Sequence, residues 1–162
     1  MTRLIAFIVL FTTLGLAPGL SPAAAAPSPL VMERLLGHPD AGNRTYMGER
    51  FQELDDLRVF YANRAYAPVW TRETLLELRY AFMEAQRAGL SVTDYHFTAL
   101  GTEYSNDNEM ALELLATDAW LSLAGDLYGS DDADMLAYLH HALEQDRLYE
   151  ALAELAAFRS GR

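Results

Sequence analysis

The stretch DNEMALELLATDAWLSLAGDLYG, residues 107–129, decides how this chain folds. Leu114, Leu115, Trp120, Leu121 and Leu123 recur at helical spacing, and Gly129 supplies a stop. The pattern predicts a long helix over about 107–127. Asp118 sits four residues after Leu114 and three before Leu121, on or beside the apolar face. A buried carboxylate needs a partner. The expected one is Arg64, in a structural ion pair joining the first and third long helices.

Working outward, no six-residue stretch alternates as a half-buried strand would. Phe51, Leu54, Leu57 and Tyr61 share a stripe, predicting a helix over about 48–63, with Glu53, Asp56 and Arg58 away from it. Pro68 stops its continuation and pushes Ala67 toward extended geometry. Thr71 caps a second helix with Leu75, Leu78, Phe82 and Ala85 inward, and Gly89 stands where a glycine closes a helix. Ser91 or Thr93 starts a short turn carrying Asp94, Tyr95 and His96. Beyond the central helix, Asp131 or Asp132 caps one through Met135, Leu136, Leu139 and Leu143, and Asp146 caps a last one through Leu148, Leu152 and Leu155. The expected fold class is all-α: a compact bundle of four to five helices with short loops, one domain over 49–160.

The first 26 residues read differently. Arg3 precedes an uncharged apolar run from Leu4 to Leu16, then Pro18, Gly19 and Pro22, then Ala23 to Ala26. This is the pattern of a cleaved signal peptide, too short for a membrane span. It predicts an exported, bacterial periplasmic protein with no stable membrane anchor. Residues 27–48 read as a flexible tether, with Leu30 to Leu36 as a short apolar patch able to dock as a helix.

Among 162 residues there are 12 arginines, no lysine, 23 acids and no cysteine, for a net charge of −11. The missing cysteines remove disulfide scaffolds, thiolate metal sites and cysteine nucleophiles. The acidic balance gives no reason to bind nucleic acid, and the lack of lysine removes a standard P-loop. His140 with Glu144 is one imidazole and one carboxylate, short of a zinc set, with His38 and His96 far off in sequence. Asp131, Asp132 and Asp134 lack the calcium-loop frame, as does the 106–109 run, and read as helix capping. Acid pairs such as Asp55 with Asp56, or Glu73 with Glu77, are what 23 acids produce by chance. No metal, cofactor or catalytic residue is expected.

The run 60–70 packs Phe60, Tyr61, Tyr66 and Trp70 around Arg64 at a helix end. Such a cluster suits a core corner or an interface hot spot. Tyr61, Tyr66 and Trp70, with Tyr95, are the candidate partner-binding residues.

Phe60-Tyr61-x-x-Arg64-x-Tyr66-x-Pro68-x-Trp70, then Ala88-Gly89-Leu90 leading to Asp94-Tyr95-His96, resembles the helical scaffold domain of large murein L,D-transpeptidases. Glu113-Leu114-Leu115-x-Thr117-Asp118-Ala119-x-Leu121, Asp126-Leu127-x-x-Gly129 and Tyr149-x-x-Leu152-x-x-Leu155-x-x-Phe158-Arg159 continue the likeness, which spans roughly 51–159. In that family a peptidoglycan-binding module and a cysteine-bearing catalytic domain follow the scaffold. Neither has a counterpart in these residues, and the Gly-x-(small)-x-Pro turn is replaced by Gly129-Ser130-Asp131-Asp132. Without a thiolate no acyl-enzyme can form. The resemblance implies a non-catalytic scaffold module in cell-wall remodelling, binding a separate cell-wall enzyme such as an L,D-transpeptidase, or peptidoglycan itself. A small helical murein hydrolase using Glu53 or Glu77, and a truncated inactive transpeptidase fragment, are the alternatives.

Overall fold

A computed structural model describes residues 27–37, 45–105, 107–128 and 132–161. Among these, α1 (Pro29–Leu36), α2 (Leu54–Asn63), α3 (Arg72–Arg87), α4 (Phe97–Leu100), α5 (Glu109–Tyr128), α6 (Asp132–Glu144) and α7 (Leu148–Ser160) account for nearly all the regular structure. A two-stranded ribbon, β1 (Thr45–Tyr46) and β2 (Glu49–Arg50), precedes α2, and a 3-10 turn, Val92–Tyr95, precedes α4. The all-helical expectation holds. The count exceeds four to five because the Leu30 patch does form a docked helix, α1, and one turn of α-helix, α4, follows the turn expected near Tyr95.

Helix α5 is the axis. Its apolar residues do not sit on one face; an unbroken run from Ala111 to Ala124 is buried. A helix buried all round must be wrapped by others, and α2, α3, α4, α6 and α7 all pack on it. Ala116, Ala119 and Ala124 are fully enclosed and let neighbours approach closely, while Trp120 fills the volume beside Tyr138, ring centroids 5.9 Å apart. The exit helix α7 packs on both α5 and α3.

Three helix ends share one device. In α3 the Leu90 N–H donates to Ala85 O and Gly89 N–H to Gln86 O, with Gly89 at φ 87. The same pair of bonds closes α2, from Tyr66 to Tyr61 and Ala65 to Ala62, and closes α6, from Arg147 to Ala142 and Asp146 to Leu143. This Schellman closure demands a left-handed residue, and Ala65 (φ 50) and Asp146 (φ 53) occupy it without glycine. Asp146 therefore ends α6 rather than capping α7, whose flanking residue is Arg147. Thr71 caps α3 as expected, in a reciprocal box with Thr74.

The helix expected over 48–63 starts later. Gly48 (φ 87) and Met47 (φ 50) make the two-residue loop of the ribbon, pairing Tyr46 with Glu49. Phe51 is buried outside the helix. Two-residue strands are too short to show any alternation in sequence.

A left-handed alanine costs about 1–2 kcal/mol. Ala65→Gly and Asp146→Gly should each raise stability by roughly 0.5–1 kcal/mol, read as a rise of a few degrees in the thermal midpoint. Gly89→Ala should do the reverse.

Candidate functional site

Burying α5 on all sides takes its polar residues inside too. Glu109, Glu113, Thr117, Asp118 and Ser122 are buried on it; Glu109 accepts from the Tyr104 hydroxyl, and Glu113 and Asp118 form two bonded centres.

The first centre is Glu113. Its carboxylate accepts from the Tyr61 hydroxyl (2.7 Å), the Val69 N–H (2.7 Å) and the Trp70 N–H (3.1 Å). Thr117, one turn on, lies 2.8 Å from the Tyr61 hydroxyl and accepts the Trp70 indole N–H at 2.8 Å. The aromatic corner 60–70 is therefore fastened to α5 through its polar tips. Burial pushes the Glu113 carboxyl up to about 7, against the pull of its three donors and of Arg64. Burial and the Glu113 charge together raise the Tyr61 hydroxyl.

The second centre is Asp118. It accepts Gln52 N–H (3.0 Å), Glu53 N–H (2.8 Å) and His96 Nε2 (2.7 Å), and His96 Nδ1 lies 2.9 Å from Glu49 Oε2. One carboxylate thus satisfies the backbone leading into α2 and, through His96, ties in the ribbon. Burial works to lower the His96 pKa, but its bonds to Asp118 and Glu49 outweigh that and hold it above the ordinary value. His96 is left-handed (φ 55), at the joint between the 3-10 turn and α4. Tyr95 beside it donates to Asp126 at 2.7 Å.

The expected Arg64–Asp118 pair does not form. Asp118 is taken up by backbone and His96, while the Arg64 guanidinium lies 5.6 Å from the Phe60 ring centroid, close enough to lower the pKa of Glu113. The bridge from corner to central helix exists, but it is made by the Tyr61 hydroxyl and the Val69 and Trp70 amides donating to Glu113, and by the Trp70 indole donating to Thr117. Glu113, Thr117 and His96 escaped the sequence reading as site residues. Their signal was two polar residues at i and i+4 inside an apolar run, beside Asp118.

The partner-binding expectation is corrected for three of its four residues. Tyr61 is 0 %, Tyr95 2 % and Trp70 7 % exposed, so none presents a face to another molecule. Tyr66 is half-buried, at the edge of a shallow groove with Val59, Ala62 and Arg58.

The arrangement ties elements together. Both ring nitrogens of His96 are engaged by carboxylates. Among the described residues no cluster of three acids or histidines could hold a metal ion. His140 packs on Phe60, ring centroids 4.9 Å apart, and burial lowers its pKa. Asp55 pairs with Arg58 on the surface. Glu77 is raised by burial and then by the charges of Asp146 and Glu150. Asn106, Asp131 and the 129–131 part of the variant turn lie outside the described residues, as do the segment 1–26 and His38. No helix among the described residues is long and apolar enough to cross a membrane.

These features define an all-helical module whose enclosed polar groups serve its own assembly. The Scaffold domain family matches residues 55–159, from the second residue of α2 to the penultimate residue of α7. The chain belongs to that family, the scaffold domain of L,D-transpeptidases. Scaffold is a non-catalytic domain, and the chain holds no cysteine. Neither a curated protein nor a solved structure matches the chain.

Removing one partner of a buried ion pair costs about 3–5 kcal/mol. Asp118→Ala should lose roughly that much and free the 45–53 segment, seen as faster amide exchange at Gln52 and Glu53 before global unfolding.

The pH dependence has a definite sign. The Glu113 carboxyl rises from 4.5 unfolded to about 7 folded, so the folded state binds more protons between those values and stability falls as pH rises through them. His96, raised on folding, also contributes below its unfolded pKa and is lost as pH climbs through its folded one. His140, lowered on folding, opposes weakly. The thermal midpoint should therefore fall from pH 5 to pH 8. Glu113→Gln sets an amide NH2 against one of three donors and costs about 1–3 kcal/mol at pH 5. That deficit should shrink by pH 8, where the native chain carries the buried charge.

Proposed function

We propose that this chain is a non-catalytic, exported scaffold module acting in peptidoglycan remodelling, where it binds a separate cell-wall enzyme such as an L,D-transpeptidase, or the wall itself. The observation that carries this reading is a Scaffold domain spanning 55–159 in a chain without the thiol that the family's transpeptidation chemistry requires. The apolar run followed by small residues before 27 supports export. The inward consumption of Glu113, Asp118 and His96 supports a role through the surface rather than through a reacting centre.

Immobilised protein should retain a purified L,D-transpeptidase or sediment with purified sacculi. Retention of neither overturns the reading. A hydrolase reading rests on Glu77, whose carboxyl is raised by burial and by the charges of Asp146 and Glu150. Turbidity of a cell-wall suspension should stay constant with the native chain; clearing that Glu77→Gln abolishes would favour the hydrolase instead.

A further inference from the structure

The outer side of α3 is less polar than a solvent face needs to be. Leu76 is 49 %, Tyr80 62 % and Met83 50 % exposed, at i, i+4 and i+7 on one stripe. The stripe borders a cleft of about 380 Å³ toward the 100–104 segment, floored by buried Leu75, Leu100 and Leu112. A second hollow of about 300 Å³, reaching Phe97, shares Leu76 and Arg79 with the first. The two adjoin as one elongated trough along the helix, with an apolar floor and a rim that includes Arg72, Arg79, Thr102 and Tyr104.

Its charge runs against the rest of the molecule. The chain carries 23 acids against 12 arginines, yet Arg72 and Arg79 line the trough, and neither forms an ion pair among the described residues. Arg72 lies 5.9 Å from the Tyr104 ring centroid. Of the acids nearby, Glu103 stands on the opposite wall, Glu84 is paired with Arg87, and Glu73 is turned onto its own helix cap.

We propose that this trough seats an amphipathic helix of a partner protein, its apolar face on Leu76, Tyr80 and Met83 and its carboxylates against Arg72 and Arg79. This rests on reading the chain as a partner-binding module and gives that partner a chemistry. A helix laid in a groove engages it through its own apolar residues at i, i+3, i+4 and i+7, and Tyr, Met and Arg are the side chains enriched at such contacts. The polar groups of the cleft stand at its rim, while Leu75, Leu100 and Leu112 give its floor no hydrogen-bonding group for a glycan hydroxyl. A second copy fits poorly, because a two-fold axis through the stripe would set Arg79 against Arg79.

The test is a selection of the purified chain against a phage-displayed, helix-biased peptide library of mixed charge, followed by anisotropy titration of the winners. Enriched peptides should carry apolar residues at i, i+4 and i+7 and net negative charge. Arg72→Glu with Arg79→Glu should weaken them by roughly tenfold or more, and exchanging their acids for lysine should restore binding to that double variant. Leu76→Glu should abolish binding. All three positions are exposed, and a circular-dichroism melt checks that the variants fold. Enrichment of neutral or basic peptides, no enrichment, or indifference to these substitutions overturns the proposal, as does sedimentation showing a dimer that Leu76→Glu dissolves. If acidic helices bind here while no cell-wall enzyme is retained, the trough stands and the cell-wall reading falls; the converse result separates them the other way.

Discussion

A helix buried on every side has nowhere to put a polar side chain except against another part of the protein. That constraint organises the whole molecule. Once Glu113, Thr117 and Asp118 are enclosed on α5, each must find donors within reach, since an unpartnered buried carboxylate costs several kcal/mol. The donors come from the aromatic corner at 61–70 and from the approach to α2 at 52–53. His96 brings the segment before α4 to the same helix. The bonds thus decide which loops touch α5 and in what register, a specificity that apolar packing alone supplies less sharply.

The same economy separates the inside of this scaffold from its working surface. Tyr61, Trp70 and Tyr95 have the size and polar tips of hot-spot residues, but their tips are engaged by Glu113, Thr117 and Asp126. Amphipathic aromatics serve a wet interface and a buried corner equally well, so composition does not tell the two uses apart. What remains outside is an apolar stripe on α3 with arginines set into it, within a protein of opposite net charge.

Much of the fold was legible from periodicity. Helices α3, α5 and α6 begin and end close to where Thr71, Gly89 and the apolar spacing put them. The failures have a common physical source. The ribbon at 45–50 and the late start of α2 depend on Asp118 capturing Gln52 and Glu53 N–H groups more than sixty residues away. Asp146 read as a cap because aspartate favours that role, yet it also tolerates the left-handed position that closes α6. Charge alone points Asp118 to Arg64, whereas two backbone N–H groups and an imidazole supply its bonds.

The sequence by itself determined an all-helical domain, its family likeness and the absence of any thiol chemistry. These follow from local periodicity, from motif spacing and from which residue types are present at all. Only the tertiary structure decided which acids are buried, what satisfies them, and which apolar residues are left facing out. Those outcomes turn on distances between segments far apart in the chain. Burial is a property of the packed whole: Tyr61 and Tyr80 are the same residue on neighbouring helices, and only the presence of α5 over one of them makes it core.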